Sequence, residues 1–381
     1  MKSFTRKEIL RLLGFMGVST VLGSVASKFQ GIKSSVDKSF KDNPVIEKER
    51  LPDSGPWPTK DPFLFCVHHN DHYPKGNSSL GPIETLQGRD IGQDFSNKNG
   101  WSMYHGHKVP GFPRHPHRGF ETVTVVREGL IDHADSLGSA ARYGNGDVQW
   151  LTAGDGIQHA EMFPLFNKTK SNPMSFFQIW LNLPASRKRV KPNFTMFWAD
   201  SVPIINVQDS SGKLSTITLI SGRYGQNHSP KPPTDSWAAK QDSDVAIWSI
   251  KLSSGATWVM PKTNKATVRS LYLINSSGDV LLNSERISGK SKVEIKSDID
   301  IKIKDLGQGM ELLLLQGRPI SEPVSKHGPF VMNSQSEIRE AYHDYQKTQF
   351  GGWDWDSDAP VHGSDPKRFA KYINGETEYP G

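Results

Sequence analysis

Disulfide chemistry is excluded by composition, since the chain of 381 residues contains one cysteine, Cys66. A single thiol cannot form an internal disulfide, and it cannot supply the several thiolates of a structural zinc site. Free cysteine is among the residue types most often buried in proteins. We therefore interpret Cys66 as a small apolar core residue.

Dense basic segments are absent as well. The net charge is +6, and half of it comes from the first 27 residues. The charged residues of that segment are Lys2, Arg6, Lys7, Glu8 and Arg11. The rest of the chain carries a net +3 without a dense Lys/Arg block, whereas nucleic-acid binding needs a basic patch or stripe. We therefore expect no nucleic-acid partner.

The composition instead favours an all-β protein with many turns. Hydrophobic residues make up 35% of the chain, with 10 Trp and 18 Phe, which is enough for packed cores, whereas 34 Gly and 25 Pro indicate frequent turns. Between His115 and Leu183, short β-branched segments alternate with Gly-rich turns, and no helical period competes with them. Such a pattern is typical of a β-sandwich or β-barrel. The length is natural for two domains.

The first 27 residues have the order of an export signal. A basic start is followed by the uncharged run Leu12–Ala26, which ends in small residues. Thr5–Arg11 resembles a twin-arginine signal in which Lys7 replaces the second arginine. We predict an exported protein, periplasmic or secreted, with an uncleaved membrane anchor as the alternative and no stable membrane span in the mature chain. Residues 28–60, rich in Lys, Ser, Asp and Pro, are predicted to be a linker.

Two pairs of potential metal ligands lie in predicted strands. His115 and His117 form one pair, and His159 and Glu161 form the other, each at positions i and i+2. Residues two apart point to the same face of a strand, so two neighbouring strands would place three imidazoles and one carboxylate around one point. That ligand set suits a divalent transition metal such as Zn, Cu, Fe or Ni.

The carboxylate ligand is not decided by spacing. In an unbroken strand Glu121 has the same parity as His115 and His117, so it would face the same cavity. Glu121 and Glu161 are therefore rival ligands. The one that does not bind the metal could orient a ligand or act as a general base.

Five further histidines leave alternatives open. They are His68, His69, His72, His105 and His107. The first three follow the predicted strand Phe63–Val67, and we interpret them as a polar loop near the site or as a second metal site. The last two could line the pocket or compete as a ligand pair. Residues 74–100, rich in Gly, Asn and Ser, are predicted to be a long loop, and loops of that length are often functional.

Several motifs together resemble the pirin family of the cupin superfamily. In chain order they are His115–Thr124, Asp135–Gly138, Gly146–Trp150, Thr152–Gly154, His159–Met162, Gln178–Pro184 and Gly328–Asn333. The ordered set extends over roughly residues 61–350 and is far more specific than a lone His-x-His. The resemblance implies two cupin-type β-barrels packed face to face, the first of which holds one metal ion, usually iron.

The resemblance also implies the site and its chemistry. The ligands would be His115, His117, His159 and Glu161, with Glu121 near the metal as a base or as a group that orients a ligand. The cofactor would be one divalent metal, Fe(II) first, with Zn, Ni, Cu or Mn as alternatives. Family members have been linked with quercetin-type dioxygenase activity and with metal-dependent transcriptional regulation. We therefore predict a mononuclear non-haem iron dioxygenase acting on an aromatic or phenolic small molecule; the alternative is a non-enzymatic, metal-dependent binding, redox-sensing or regulatory protein.

The second half lacks a comparable ligand set. Between Asp200 and Pro319 the sequence has one histidine, His228, which we interpret as a surface residue. We predict a first barrel with the metal site over residues 61–200 and a second barrel without one over residues 201–320. A C-terminal helix and tail are predicted over residues 321–381.

The predicted C-terminal helix rests on a capping signal. Ser334–Glu337 has the form of a capping box, which predicts a helix through about Lys347. Beyond it, Trp353 and Trp355 are predicted to dock their indole rings on the body of the protein.

Overall fold

The structure is a computed structural model and describes residues 40–275 and 277–381. The predicted export signal, residues 1–27, and the first part of the predicted linker lie outside the described residues. None of the helices within these ranges combines the length and the apolar character that crossing a bilayer requires.

Strands dominate the described residues. In chain order the first ten are β1 (Val45–Arg50), β2 (Phe63–Tyr73), β3 (Gly111–His117), β4 (Phe120–Glu128), β5 (Leu130–Asp135), β6 (Ala140–Gly144), β7 (Val148–Thr152), β8 (Ile157–Met162), β9 (Asn172–Asn182) and β10 (Asn193–Phe197). The next twelve are β11 (Ile204–Gln208), β12 (Leu214–Ser221), β13 (Arg223–Tyr224), β14 (Asn227–His228), β15 (Ala246–Leu252), β16 (Thr257–Met260), β17 (Val268–Leu273), β18 (Asp279–Leu282), β19 (Glu285–Ser288), β20 (Ser291–Ile295), β21 (Ile301–Asp305) and β22 (Met310–Gly317).

The C-terminal elements are short. They are β23 (Ser325–His327), β24 (Phe330–Met332), the helix α1 (Gln335–Thr348), β25 (Phe369–Lys371) and β26 (Thr377–Glu378). Short 3-10 helices occur at Lys98–Gly100, Ala185–Arg187, Trp237–Ala239 and Gln349–Gly351. The predicted all-β class with one short C-terminal helix is confirmed.

The first structural unit consists of two facing sheets. One has the strand order β10-β7-β4-β9-β2 and the other the order β26-β25-β6-β5-β8-β3. Their inner faces enclose an aromatic core that includes Tyr143, Phe163 and Phe176. The long strand β2 continues to Tyr73, so the histidines after Val67 belong to a strand and not to the polar loop predicted from the sequence.

The second unit repeats this architecture. Its seven-stranded sheet, β1-β20-β17-β22-β15-β12-β11, faces a four-stranded sheet, β16-β21-β18-β19. Alternation decides which side chains enter the core: in β21, Ile301 and Ile303 are buried, whereas Lys302 and Lys304 point outward. The strand β1 lies inside the range predicted as a linker, and it pairs antiparallel with β20. The linker prediction missed β1 because its side chains are mostly exposed and polar, so apolar alternation gives no signal there.

The two units pack through the outer faces of their large sheets. Val123, Cys66 and Phe177 of the first unit lie in one buried cluster with Ile247 and Leu313 of the second. Cys66 is fully buried, as expected for an apolar core residue, and its burial raises the pKa of the thiol. The facing strands are therefore buried on both faces, which explains why apolar residues occur at consecutive positions along them.

The C-terminal segment returns to the first unit. Ser334 caps α1 by accepting a hydrogen bond from the backbone N–H of Glu337, as the capping box predicts. The tail then crosses the first unit, where β25 pairs with β6. The indole of Trp355 docks by donating to the carbonyl of Asp135, and the carbonyl of Gly363 accepts from the buried guanidinium of Arg142.

The interface between the units should contribute strongly to stability. We expect Leu313→Ala to lower the free energy of unfolding by about 2–5 kcal/mol, since the truncation leaves a cavity between two packed sheets. Val259→Ala is the matched control because Val259 is 40% exposed on the same unit, and its cost should stay below about 0.5 kcal/mol. Chemical denaturation measures both. Equal costs for the two variants would contradict the assignment of this interface.

Candidate metal centre

Three histidines meet on two neighbouring strands. β3 and β8 pair antiparallel, and His115 lies directly opposite His159. His117 lies two residues further along β3 on the same face. One ring nitrogen from each of the three residues lies within 4.8 Å of the others. The sequence-based prediction that these imidazoles converge is therefore confirmed by geometry.

His117 and His159 are buried and His115 is half-buried, and this environment favours the neutral form of all three rings. Burial lowers the pKa of His115 to about 4 and holds the pKa values of His117 and His159 well below the usual range. A neutral imidazole offers a lone pair, which is the form that binds metals. Three protonated rings at these distances would repel one another.

Backbone carbonyls orient two of the rings. His115 Nδ1 lies 2.8 Å from the carbonyl oxygen of Pro113, and His117 Nδ1 lies 3.5 Å from that of Pro329. A carbonyl only accepts, so these contacts favour the proton on Nδ1 and leave Nε2 as the free donor of electrons. The orientation of the His117 ring thus depends on Pro329, a residue far along the chain.

The surroundings of the third ring, that of His159, indicate whether the cluster suits a metal. His159 is fully buried, and neither of its ring nitrogens has a hydrogen-bond partner among the described residues. Leaving a buried polar atom unpaired is costly, and a metal ion bound by the cluster would satisfy one of these nitrogens. The three residues therefore fit a transition metal held by imidazoles.

Glu161 faces the same cavity but lies outside the tight histidine group. Its Oε2 accepts from Gln178 Nε2 at 3.2 Å, and its Oε1 accepts from Thr124 Oγ1 at 3.3 Å. Burial raises the pKa of this carboxyl. The carboxylate is thus on the correct face of β8 to be a fourth ligand, and its assignment as one stays a prediction.

Glu121 does not lie beside the histidines, which corrects the role predicted for it. β3 ends at His117, and the chain turns at Gly119, where φ is +86°. β4 then starts in the other sheet, so parity does not carry across the turn. Glu121 points out of the cavity toward the second unit, where it accepts hydrogen bonds from Thr152 Oγ1 at 2.8 Å and from Ser236 Oγ at 2.6 Å.

The histidine cluster lies in a cavity of about 890 Å³. Its apolar wall includes Phe65, Val67, Phe112 and Trp180. The predicted loop region after β2 is confirmed, and it contributes to the lining of this cavity, as do residues 357–359 of the tail. His105 and His107 also line the cavity but lie outside the tight histidine group. They are lining residues here and not a competing ligand pair.

The histidines of β2 do not form a second metal site. His69 lines the cavity, whereas His68 stacks on Phe177 of the interface between the units, with ring centroids 4.6 Å apart. His72 is exposed. Strand alternation points His69 to the face opposite that of His68 and His72. Among the described residues the only group of three potential ligands is the cluster of His115, His117 and His159.

A hydrogen-bonded chain behind His69 was not anticipated from the sequence. Tyr104 donates to Asp71 Oδ2 at 2.7 Å and lies 2.9 Å from His69 Nδ1. Since the single hydroxyl proton goes to Asp71, His69 must donate from Nδ1, which leaves its Nε2 as an acceptor. Tyr104 is distant in sequence, so no local pattern could reveal the chain.

His133 was also missed. It is fully buried on β5, and its ring lies 5.6 Å from that of His159, measured between centroids. Its Nε2 is 3.3 Å from Asp135 Oδ2. His133 has the same parity as the apolar residue Ile131 in a predicted strand, and this shared inward face is the signal that could have identified it.

Comparison with known proteins places these features in a family. The model of the family described as Pirin matches residues 82–181, and that of the Pirin C-terminal cupin domain matches residues 247–351. The chain is 32% identical to a Pseudomonas aeruginosa protein named as a candidate quercetin 2,3-dioxygenase, over 63% of this chain and 79% of that protein. It is 33% identical to the pirin of Rattus norvegicus, over 65% of this chain and 80% of that protein.

A solved structure supports the fold. The chain is similar to the crystal structure of a quercetin 2,3-dioxygenase from Acinetobacter baumannii, with a TM-score of 0.64, 24% sequence identity, and coverage of 81% of this chain and 98% of that chain. The expected pair of cupin folds is thereby confirmed. At this identity the likeness concerns the fold alone.

Metal binding should depend on the cluster and not on the cavity wall. We expect His117→Ala to lose metal, because it removes one of the three clustered imidazoles, whereas His105→Ala should keep it. Elemental analysis of the purified variants measures the metal-to-protein ratio. Full metal content in His117→Ala, or equal loss in both variants, would refute the assignment.

Glu121 should affect pH-dependent stability and not metal content. Burial raises its pKa from 4.5 to about 7, so the folded protein holds this proton more tightly than the unfolded chain does. The contribution to stability is complete below about pH 4.5 and is lost as the pH rises through about 7. We expect Glu121→Gln to reduce this loss by up to about 3 kcal/mol.

Denaturation of the wild type and Glu121→Gln between about pH 5 and 8 tests this expectation. Glu84→Gln is the control, since Glu84 is exposed, and it should follow the wild-type curve. Identical curves for Glu121→Gln and wild type, or loss of metal in Glu121→Gln, would contradict the position of Glu121.

Proposed function

The chain belongs to the pirin family of cupins, and from that premise we propose that it is a metal-dependent dioxygenase acting on a phenolic or enolic small molecule. The observation that carries this proposal is the group of three neutral imidazoles inside a largely apolar cavity. Relatives named as candidate quercetin 2,3-dioxygenases support the substrate class. The cavity of about 890 Å³ is of the size that holds a drug-sized ligand.

We propose Fe(II) as the metal, held by His115, His117, His159 and Glu161. Iron in such a site supplies redox chemistry with O₂ and positions left open by the protein ligands. Thr124 and Gln178 hold the Glu161 carboxylate in place. Zn, Ni, Cu or Mn are the alternatives that the same ligands accept.

His69 is the proposed acceptor for a substrate hydroxyl. Burial lowers its pKa to about 3, so the ring is neutral at physiological pH. Tyr104 and Asp71 fix the tautomer with Nε2 free, and stacking on Phe176, with centroids 4.4 Å apart, fixes the ring plane. A hydroxyl hydrogen-bonded to Nε2 would be oriented within the cavity.

The tail adds a feature that the matched family regions do not include. Ser357, Asp358 and Ala359 line the cavity, beyond residue 351 where the family match ends. Arg114 on β3 holds this segment through an ion pair with Asp358 at 3.0 Å. We propose that the tail helps to select which phenolic substrate enters.

Oxygen consumption tests the proposed reaction. We expect the iron-loaded protein to consume O₂ in step with loss of a substrate from a flavonol and phenol panel, and His117→Ala to show no uptake. Glu121→Gln is the matched control, since its side chain faces away from the cavity, and it should retain the activity. A protein that holds iron stoichiometrically but consumes no O₂ with any compound would favour the metal-dependent binding or regulatory alternative.

The role of His69 can be measured separately. Loss of one substrate hydrogen bond is worth about a tenfold change, so we expect His69→Leu to lower kcat/KM by about that factor with full metal content. His72→Leu is the control on the same strand, since His72 is exposed. Unchanged kinetics in His69→Leu would eliminate His69 as the acceptor.

A further inference from the structure

The second cupin unit contains its own cavity, of about 730 Å³. Three of its lining residues come from adjacent strands: Trp248 from β15, Arg269 from β17 and Gln316 from β22. These side chains point between the two sheets, since Trp248 belongs to the internal core, and Arg269 and Gln316 lie two residues from the core residues Leu271 and Leu314 and therefore on the same strand face. The cavity thus opens at one end of the sandwich.

The position matches that of the metal cavity in the first unit. The strands β17-β22-β15 are neighbours in the same order as β4-β9-β2. Gln316 lies opposite Ala246 and Arg269, just as Trp180, which lines the metal cavity, lies opposite Phe65 and Thr122. The second unit therefore has a cavity at the equivalent place, with His228 as the one histidine of its lining. Among the described residues no group of three potential metal ligands lies there.

Arg269 is buried, and one of its guanidinium nitrogens has no hydrogen-bond partner among the described residues. The residue is 2% exposed, and its Nε donates to Gln316 Oε1 at 2.7 Å. Its Nη1 is buried and has no hydrogen-bond partner in the described part of the chain. Burial lowers its pKa to about 10, so the guanidinium is still charged at neutral pH. Buried charges in proteins are normally paired.

The nearby carboxylate of Asp244 is already engaged. Its Oδ2 accepts from Thr263 at 2.5 Å and from Thr267 at 2.6 Å. Its Oδ1 accepts from Gln316 Nε2 at 3.1 Å. Asp244 therefore organises the wall beside Arg269, and the unpaired Nη1 is left for another acceptor.

Trp248 provides a second unpaired donor in the same cavity. Its indole Nε1 is buried and also lacks a hydrogen-bond partner among the described residues. Indole N–H and guanidinium N–H groups can only donate. A ligand that carries acceptor oxygens would therefore satisfy both unpaired groups.

The charge of the lining favours an anion. Five Lys or Arg residues line the cavity against the one carboxylate of Asp244; they are Arg223, Lys231, Lys240, Lys262 and Arg269. A concave surface lined by one sign of charge raises the local concentration of oppositely charged ligands. Three prolines and Trp248 add apolar lining, and the volume far exceeds that of an inorganic ion.

We propose that the second unit binds a small organic anion, a carboxylate or a phosphate ester, with its acidic group on Arg269 and Trp248 and its apolar part against the cavity wall. Guanidinium geometry suits either acid, since it donates two parallel hydrogen bonds. The site is separate from the metal centre, and its occupation does not require the proposed oxygenase activity.

Calorimetric titration of the full metal-loaded chain tests this proposal. The probes are benzoate, citrate, phenyl phosphate and inorganic phosphate, with benzamide and benzyl alcohol as neutral comparators. We expect at least one organic anion to bind with a Kd below about 1 mM and the neutral comparators not to bind. The carboxylate and phosphate arms identify the preferred acid.

Variants locate the binding. Arg269→Gln should weaken the anion at least about tenfold, because it removes a charge-assisted hydrogen bond, and Trp248→Phe should weaken it severalfold while preserving the ring. Arg286→Gln is the matched control, since Arg286 lies on β19 of the same unit outside the cavity and its side chain is 69% exposed. Its affinity should equal that of the wild type. If Arg269→Gln does not fold, Trp248→Phe and Lys262→Gln carry the comparison.

Three outcomes would overturn the proposal. The first is that no organic anion of the panel binds the wild type. The second is that the cavity variants that fold bind as tightly as Arg286→Gln. The third is that binding disappears in His117→Ala, which would place the anion at the metal centre and not in the second unit.

Discussion

The structure depends on one constraint: three imidazole rings lie close together inside the first unit, and they must be uncharged to do so. Burial keeps the rings neutral, and neutrality allows them to approach within 4.8 Å. The carbonyls of Pro113 and Pro329 then decide which nitrogen of His115 and His117 stays free. The remaining architecture can be understood as the means by which this cluster is enclosed and oriented.

The enclosure of the cluster involves the C-terminal segment as well as the first unit. The C-terminal segment supplies Pro329 to His117, and it contacts the turn that ends β3. Lys188, which is buried, donates to the carbonyls of Gly119 and Val331 at 2.8 and 3.2 Å. Arg118 is tied to Asp344 of α1 at 2.8 Å. Parts of the chain that follow the second cupin unit therefore fix the end of the histidine-bearing strand.

The all-β class and the histidine pairs were accessible from the sequence because they rest on local patterns, whereas the pair of cupin barrels followed from the resemblance to the pirin family. Strand alternation placed His115 and His117 on one face, and the capping box placed the start of α1 at Ser334. Glu121 was misplaced because a parity argument holds only within one strand, and Gly119 ends that strand. β1 was missed because its exposed polar side chains give no apolar period.

The features beyond prediction are those that depend on contacts between distant segments. His69 acquires its tautomer from Tyr104, which acts with Asp71, and the sequence contains no sign that these side chains meet. The same limit applies to the second cavity. Arg269 and Trp248 are ordinary residues of two strands, and only the folded sheets show that their donors face one enclosed space.

The two cavities show how one fold can support different chemistry. In the first unit the inward positions of β3 and β8 carry imidazoles, so the cavity suits a cation that accepts electron pairs. In the second unit a guanidinium and an indole line the register-equivalent space, so it suits an acceptor of hydrogen bonds. The backbone provides the cavity, and a few inward side chains determine whether it suits a positively or a negatively charged ligand.

The central claim is that one metal ion is bound by the histidine cluster of the first unit. An anomalous-scattering crystal structure of protein purified from its own source, measured at the absorption edge of its metal, tests it most directly. The account predicts a single strong peak within coordination distance of ring nitrogens from His115, His117 and His159. A metal peak elsewhere, or a protein that carries metal with none at these three rings, would contradict it.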